Sequence, residues 1–336
     1  MLSEWPAGTT CLNSNMVLFK FWFWHLVSMM RRSLAGGSDL KSRRSYFLKR
    51  DKEAVASTVG TIMALLVFLT FLSLFTNSYI PVWMQANERS HMNEVLNQFG
   101  DLKGRIDNMI ISAAITGQTG LNIYTPITLG SEGVPIFASP TAGRLLYEPL
   151  GGDNARFSVQ FNFEQSGGQS QQFVAEGGGF LELWAPNRYY VQQWVAYENG
   201  AIIVKQPDGE VVRAFPGISL TKTGTQLTVS ITQLDLLGTN ASIAGTGSAG
   251  LNVELIYYET QEFSISTSNN DVSLVLRTIY GAAWNQYLDE LCKKAGVTYE
   301  LSKTEINDDV YEITLTIEDV DEVAYSRAYV QITIMV

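Results

Sequence analysis

A long uncharged run at residues 54–80 places the strongest constraint on how this chain can fold. Between residues 59 and 75, eleven side chains are Leu, Ile, Phe or Val, and together they favour insertion into a bilayer by about 3 to 7 kcal/mol. A helix over the whole run would be about 40 Å long, more than the roughly 30 Å hydrocarbon core requires. Residues 54–80 therefore predict one membrane-spanning helix, and the alternative is a buried helix of a globular domain.

Charge is distributed unevenly on the two sides of this run. Residues 1–53 carry nine Lys and Arg residues against four acidic ones, and the rest of the chain carries 14 basic against 29 acidic residues. Basic segments stay on the cytoplasmic side of a span. We therefore predict a single-pass protein of the plasma membrane, with residues 1–53 in the cytoplasm and the C-terminal domain outside. An acidic exterior also argues against nucleic acid as a partner.

This topology separates the two cysteines of the chain. Cys11 falls on the cytoplasmic side and Cys292 on the outer side, so the two cannot pair within one chain. Cys292 lies in a helical pattern and fits a small buried hydrophobe. The outer domain then depends on the size of its core rather than on disulfides.

A second apolar run at residues 16–30 is interrupted by Lys20. The apolar side chains favour insertion by roughly 2 to 4 kcal/mol, and a central Lys opposes it by about 2.5 to 3.5 kcal/mol. Three interpretations stay open: a weak first span, an interfacial segment, or sequence that lies upstream of a true start at Met29 or Met30.

Residues 48–69, LKRDKEAVASTVGTIMALLVFL, combine a charged cluster, a stretch of small residues and one apolar helix. In this order they resemble the N-terminus of archaeal type IV pilins and pilin-like proteins. The matching positions are Ala54, Val55, Ser57, Val59, Gly60 and Thr61. The resemblance implies a surface protein whose helix packs in a filament, with other copies of itself or other pilin-like proteins as partners. It also implies cleavage by a membrane peptidase near residues 49–54.

The sequence departs from the family pattern at the expected cleavage point. Asp51 directly follows Arg50, and no Gly or Ala stands there. Two forms of the protein therefore stay open, a processed filament subunit and a permanently anchored pilin-like surface protein.

After the span, residues 81–117 predict an amphipathic helix. Two sets of apolar residues recur every seven positions, Met92, Phe99, Ile106, Ala113 and Val95, Leu102, Met109. Such repeats mark a helix with one narrow apolar stripe. We expect the stripe to pack on the β domain of the same chain, as the pilin resemblance implies, and the alternative is pairing with another chain. Pro81 predicts a kink or a short break, and Gly117 predicts the end of the helix.

Residues 118–336 predict a β-rich domain outside the membrane. Apolar and polar residues alternate at residues 157–163, 227–232, 311–318 and 328–336, which is typical of antiparallel strands with one buried face. We expect roughly ten to thirteen strands, enough for an antiparallel β-sandwich or two stacked sheets. A subdivision near residue 268 is also considered.

Several local signals refine this domain. Asn199-Gly200 predicts a tight hairpin, and residues 207–209 predict the next turn. The small residues at 177–179 and 245–250 predict a turn and a loop. Helical spacing of aromatic and apolar residues over 280–295 predicts one additional helix near the C-terminus, with Gly296 as its stop.

The sequence offers few groups for catalysis or metal binding. His25 and His91 have no partner at metal spacing, so neither a zinc site nor a His-based triad is predicted. Acidic pairs at 308–309, 318–319 and 321–322 do not match the EF-hand spacing and indicate solvated turns. We predict no catalytic residue, no metal ligand and no cofactor. Asn240, in Asn-Ala-Ser, is the one candidate modification site, for N-glycosylation.

Two functional hypotheses result. The first is a membrane-anchored structural or interaction protein of the cell surface without a catalytic role. The alternative is an envelope-anchored ligand-binding module or hydrolase acting on glycans or peptides, in which the aromatic residues of the outer domain would stack on sugars. A concave acidic pocket with two facing carboxylates would favour the hydrolase.

Overall fold

The computed structural model describes residues 46–165, 169–265, 270–307 and 309–335. The protein is mainly β, with a long helix α1 (Tyr46–Thr116) and a second helix α2 (Gly281–Ala295) near the C-terminus, as the sequence predicted. The apolar run at 16–30, with the predictions for Cys11, His25 and Asp308, lies outside the described residues. The chain divides after Thr70 into two compact units.

Helix α1 is 71 residues long and contains Pro81, so the break that Pro81 predicted does not occur. Proline removes one backbone hydrogen bond from a helix interior. Here the neighbouring turns are held by tertiary packing, because Ile80 and Met84 are buried against Val134. The helix ends as predicted: Gly117 has a φ of 69°, and its N–H donates to the Ala113 carbonyl at 2.8 Å.

Sixteen strands occur in the described residues, more than the predicted ten to thirteen. They are β1 (Asn122–Thr128), β2 (Gly143–Glu148), β3 (Arg156–Gln165), β4 (Gln169–Gly178), β5 (Phe180–Ala185), β6 (Gln193–Glu198), β7 (Ala201–Gln206), β8 (Gly209–Ala214), β9 (Ile218–Thr223), β10 (Gln226–Leu237), β11 (Ala241–Gly245), β12 (Ser248–Ser264), β13 (Val272–Thr278), β14 (Tyr299–Asn307), β15 (Val310–Ile317) and β16 (Glu322–Met335). Strand β11 lies at a sheet edge and has no fully buried residue, so its sequence carries no clear apolar alternation.

The strands form three sheets rather than the two of a simple sandwich. Sheet 1 has the order β1-β12-β16-β10-β9, sheet 2 the order β11-β2-β5-β6-β7-β8, and sheet 3 the order β14-β15-β13-β3-β4. The prediction of purely antiparallel pairing is wrong at one point, because β10 and β16 run parallel. The pairs β10–β16 and β3–β13 also cross the considered subdivision near residue 268.

The apolar stripe of α1 packs on the β domain of its own chain, as expected. All seven heptad residues are buried in one core with side chains of sheets 1 and 2, among them Leu145, Leu183, Val253 and Val330. Ordinary burial of such side chains stabilises a fold by about 1.5 to 3 kcal/mol each. The C-terminal half of α1 is therefore an integral part of the β domain.

A second core lies between sheet 3, helix α2 and parts of sheets 1 and 2. Trp284, Leu288 and Cys292 lie on the apolar face of α2, Tyr280 directly precedes the helix, and all four are fully buried. Gly296 ends the helix in the left-handed conformation, as predicted. Cys292 is thus a small buried hydrophobe, and burial raises the pKa of its thiol to about 11.

The predicted turns are largely present. Asn199 and Gly200 both have positive φ, 43° and 78°, and they join β6 to β7 as a two-residue hairpin. The predicted loop at 245–250 is wrong, because β11 and β12 include most of it. Gly250 lies in β12 beneath the ring of Tyr124, where a Cβ atom would come within 2.6 Å of the ring, so its small size serves close packing.

Candidate functional site

Residues 56–74 of α1 present apolar side chains that the rest of the described chain leaves largely uncovered. The most hydrophobic window of the helix is 0% buried, and among the described residues it is the one helix long and apolar enough to cross a membrane. Side chains around its circumference are about half exposed or more, including Ile62, Leu65, Leu66, Val67, Phe71 and Leu74. A soluble protein rarely exposes a continuous apolar surface of this size.

An aromatic cluster follows this apolar surface. The ring of Phe75 lies 5.6 Å from that of Tyr79, 5.7 Å from that of Trp83 and 5.8 Å from that of Phe137. Phe137 belongs to the connection between β1 and β2. Tyr and Trp side chains concentrate at membrane–water interfaces because one end of each is apolar and the other is polar.

Glu88 fixes the helix to two connections of the β domain. Its carboxylate is fully buried and accepts four hydrogen bonds. One oxygen accepts from the Thr141 hydroxyl at 2.9 Å and the Arg188 N–H at 3.0 Å. The other accepts from the N–H groups of Tyr189 and Tyr190 at 2.8 and 2.7 Å. Three backbone N–H groups of the connection between β5 and β6 thus have their acceptor on the helix. The sequence did not reveal this contact.

His91 lies one turn further along α1, and its contacts indicate a structural role. It is buried, and its Nε2 lies 3.0 Å from the Thr128 carbonyl oxygen. Burial lowers the pKa of the imidazole below its ordinary value of 6.5, which favours a neutral ring. No cluster of three or more His, Cys, Asp or Glu residues suited to a metal ion occurs in the part of the chain that the structure describes.

Two buried glutamates have raised pKa values but occupy the interior. Glu182 accepts a hydrogen bond from the Tyr280 hydroxyl, and Glu198 accepts one from the Thr278 hydroxyl at 2.8 Å. Burial raises the pKa of both carboxyls, that of Glu198 to about 8. Glu210 lies nearby and accepts from the N–H groups of Ala282 and Ala283 at the start of α2. These groups link sheet 2 to the end of β13 and the start of α2.

Because of Glu198, stability is expected to depend on pH. Its folded-state pKa of about 8 lies above the ordinary value of 4.5. The favourable contribution of the neutral carboxyl is therefore full below about pH 4.5 and is lost as the pH rises towards about 8. Replacement Glu198→Gln keeps the acceptor for Thr278 and removes the charge. We expect it to raise the free energy of unfolding near pH 8 by about 2 kcal/mol.

The measurement is denaturant unfolding of the full chain in detergent, at about pH 5 and about pH 8. The variant Glu300→Gln, on an exposed part of β14, is the matched control and should leave both values unchanged. An equal effect of Glu198→Gln at the two pH values would contradict the assignment.

A cleft of about 480 Å³ opens over strands β3, β4, β13 and β15 of sheet 3. Its charged lining residues are Arg156, Arg277, Glu176 and Glu312. Arg277 lies 3.7 Å from Glu312, and Arg156 pairs with Asp153 at 2.9 Å. The cleft thus carries both signs of charge, and it is not the acidic pocket with two facing carboxylates that would favour a hydrolase. Glu182 and Glu198 are not among its lining residues.

A buried ion pair lies behind this cleft and holds three strands together. Asp235 on β10 is fully buried and accepts from Arg327 on β16 at 2.6 Å. Its other oxygen accepts from the Gly178 N–H at 3.0 Å, and Arg327 also donates to the Glu176 carbonyl on β4. Gly177 leaves space for this carboxylate, since a Cβ there would come within 1.7 Å of the Asp235 Oδ1. The network has a structural role.

The remaining predicted site residues lie apart from these features. Asn240 is exposed, directly before β11, so glycosylation there stays a prediction. The Asp321 side chain accepts a hydrogen bond from the Leu227 N–H at 2.6 Å. The predicted acidic pair at 321–322 therefore has one member bound to the backbone of a neighbouring strand. Of the aromatic residues considered for sugar stacking, Trp284 is fully buried in the core, whereas Tyr189 and Tyr257 are partly exposed on different segments.

Comparisons with known proteins give no identification. No protein-family model matches the chain, no curated protein matches it, and no solved structure matches it. The function is therefore inferred from the geometry and from the sequence pattern.

Proposed function

We propose that this chain is a single-span, membrane-anchored, pilin-like protein of the cell surface that acts as a structural or interaction module without catalysis. The observation that carries the proposal is the contrast within α1. Its residues around 59–74 are apolar and exposed, whereas its heptad residues at 92–113 are fully buried. Within residues 46–165, 169–265, 270–307 and 309–335 nothing covers the first group, and it requires lipid or neighbouring helices.

The length of the exposed segment supports a membrane span. Residues 54–75 extend about 33 Å as a helix, close to the roughly 30 Å hydrocarbon core. Charge supports the orientation, since the basic residues precede the span and the acidic surface follows it. The N-terminal segment is then cytoplasmic, and the β domain lies outside the plasma membrane.

The arrangement also supports the pilin-like assignment over a hydrolase. A long helix whose first half is apolar and whose second half packs on a β domain is what the resemblance at residues 48–69 implies. The cleft at sheet 3 does not favour the alternative, because Glu312 faces Arg277. Partners are proposed to be the membrane and other copies of this chain or other pilin-like surface proteins.

Mass spectrometry of the native N-terminus in the membrane fraction tests this proposal. A start between about residues 49 and 54 would indicate pilin-type processing and assembly into filaments. A start at or before Met30 would indicate a permanent anchor. A start beyond residue 80 would contradict the proposal, because the mature protein would then lack its membrane helix.

A further inference from the structure

The tip of the connection between β1 and β2 is an exposed apolar turn. The Phe137 N–H donates to the Val134 carbonyl at 3.1 Å, which closes a β-turn with Pro135 and Ile136 at its centre. Ile136 has a φ of 73°, a conformation that normally selects Gly and disfavours β-branched side chains. Its side chain is also 101% exposed. The turn therefore displays a large apolar group at a position where neither packing nor backbone preference requires it.

This turn is fixed beside the end of the apolar segment of α1. Val134 and Ala138 pack against Ile80 and Met84 of the helix. Two residues before Val134, the Glu132 carbonyl accepts from the Asn87 side chain at 3.1 Å. The two ends of the turn are thus anchored, and its tip points away from the core with Ile136 uncovered.

The surroundings of the tip are mainly apolar and aromatic, and the exposed Glu132 directly precedes them in the connection. Residues 54–87 of the helix and residues 133–143 of the connection contain no Asp, Glu, Lys or Arg. Beside the turn, the helix exposes Tyr79 by 58%, Val82 by 59% and Trp83 by 42%. Phe137 joins this surface through its contact with Phe75. We define the interfacial patch as Tyr79, Val82, Trp83, Ile136 and Phe137.

We propose that the interfacial patch inserts into the outer surface of the lipid bilayer, so that the turn with Ile136 and Phe137 is a second membrane contact besides the helix. This inference rests on the proposed membrane anchoring. A helix that enters the bilayer near residue 54 crosses the hydrocarbon core after about 20 residues, which places Phe75 to Trp83 at the level of the lipid headgroups. Exposed Tyr, Trp and uncharged apolar side chains are the residues favoured there. A second contact would restrict how the β domain tilts on the membrane.

Lipid-dependent quenching of a fluorophore tests this contact in the full chain. The fluorophore is attached at Ser139→Cys, an exposed position next to the tip that leaves Ile136 and Phe137 intact. Cys11→Ser removes one natural thiol, and Cys292 is fully buried. The protein is reconstituted in vesicles of phosphatidylcholine and phosphatidylglycerol, with or without a nitroxide near the top of the acyl chain. We expect nitroxide lipids to remove most of the emission.

Two further label positions separate the possible failures. A label at Leu66→Cys, near the centre of the span, reports the helix itself and should be quenched by a second nitroxide lipid that carries its label deep in the acyl chain. A label at Val174→Cys, 51% exposed on β4, should not be. If Leu66→Cys is quenched and Ser139→Cys is not, the proposed contact of the turn with the bilayer is wrong, and the proposed membrane anchor is still supported. If Leu66→Cys is not quenched, the proposed anchoring fails.

A paired variant tests the side chains themselves. Ile136→Gly with Phe137→Ser suits the turn geometry and removes both apolar groups, and we expect it to abolish quenching at Ser139→Cys without lowering the melting temperature. Retained quenching would contradict a role for these side chains. Emission at Ser139→Cys that is blue-shifted but insensitive to nitroxide lipids would show a protein neighbour, such as a second copy, and would also overturn the proposal.

Discussion

Replacing Leu66 and Phe68 with Asp is expected to release the protein from the membrane. Both positions lie near the centre of the predicted span, and each Asp at a helix centre opposes insertion by about 2.5 to 3.5 kcal/mol. Together with the loss of the two apolar side chains, the double replacement makes insertion less favourable by roughly 6 to 8 kcal/mol. The apolar run favours insertion by about 3 to 7 kcal/mol, so the replacement offsets most or all of it. The variant should no longer resist extraction of membranes at alkaline pH.

The control for this experiment is the same pair replaced with Ala. Leu66→Ala with Phe68→Ala makes insertion into the bilayer less favourable by only about 1 kcal/mol, so this variant should stay in the membrane fraction. The β domain is expected to keep its fold in both variants, because neither side chain belongs to its cores. If the Asp variant remains resistant to extraction, the helix is held by something other than lipid.

The second large effect is expected at Glu88. Glu88→Ala leaves three backbone N–H groups and the Thr141 hydroxyl without their buried acceptor. Each unsatisfied buried donor costs about 1 to 3 kcal/mol, and relaxation of the connection recovers part of this. We expect the free energy of unfolding to fall by about 3 to 5 kcal/mol. The melting temperature in detergent should fall by roughly 6 to 15 °C.

Local measurements distinguish this effect from general damage. Hydrogen exchange should accelerate first within residues 186–192, where Glu88 binds the N–H groups of Arg188, Tyr189 and Tyr190, and at the connection that contains Thr141. Asp101→Ala, at an exposed position of the same helix, should change neither exchange nor melting. Unchanged protection at residues 186–192 in Glu88→Ala would contradict the proposed docking role.

The sequence predicted those parts of the fold that depend on local periodicity. The heptad positions of α1, from Met92 to Ala113, are all buried, because a helix places every seventh residue on nearly the same face. The hairpin at Asn199-Gly200 and the end of α2 at Gly296 depend on positive φ, which Asn and Gly tolerate. Each of these features is determined within a few residues of sequence.

Features that depend on distant segments could not be predicted in this way. Glu88 looks like any acidic residue on the polar side of a helix, and its partners lie about a hundred positions away. The parallel pairing of β10 with β16 leaves no local trace either. For Glu182 and Glu198 a signal did exist. Strands β5 to β7 are almost continuously apolar, which indicates a sheet covered on both faces, and glutamates within it had to be buried.

Labelling of cysteines with a membrane-impermeant maleimide in intact cells tests whether the N-terminus is cytoplasmic and the β domain lies outside. Asp208→Cys, at an exposed turn between β7 and β8, provides an accessible thiol on the β domain. Cys292 is buried and stays silent. We predict that Asp208→Cys is labelled in intact cells, whereas any Cys11 retained in the mature chain is labelled only after lysis. Labelling of Asp208→Cys only after lysis would show that the β domain lies inside the cell and would overturn the proposed topology.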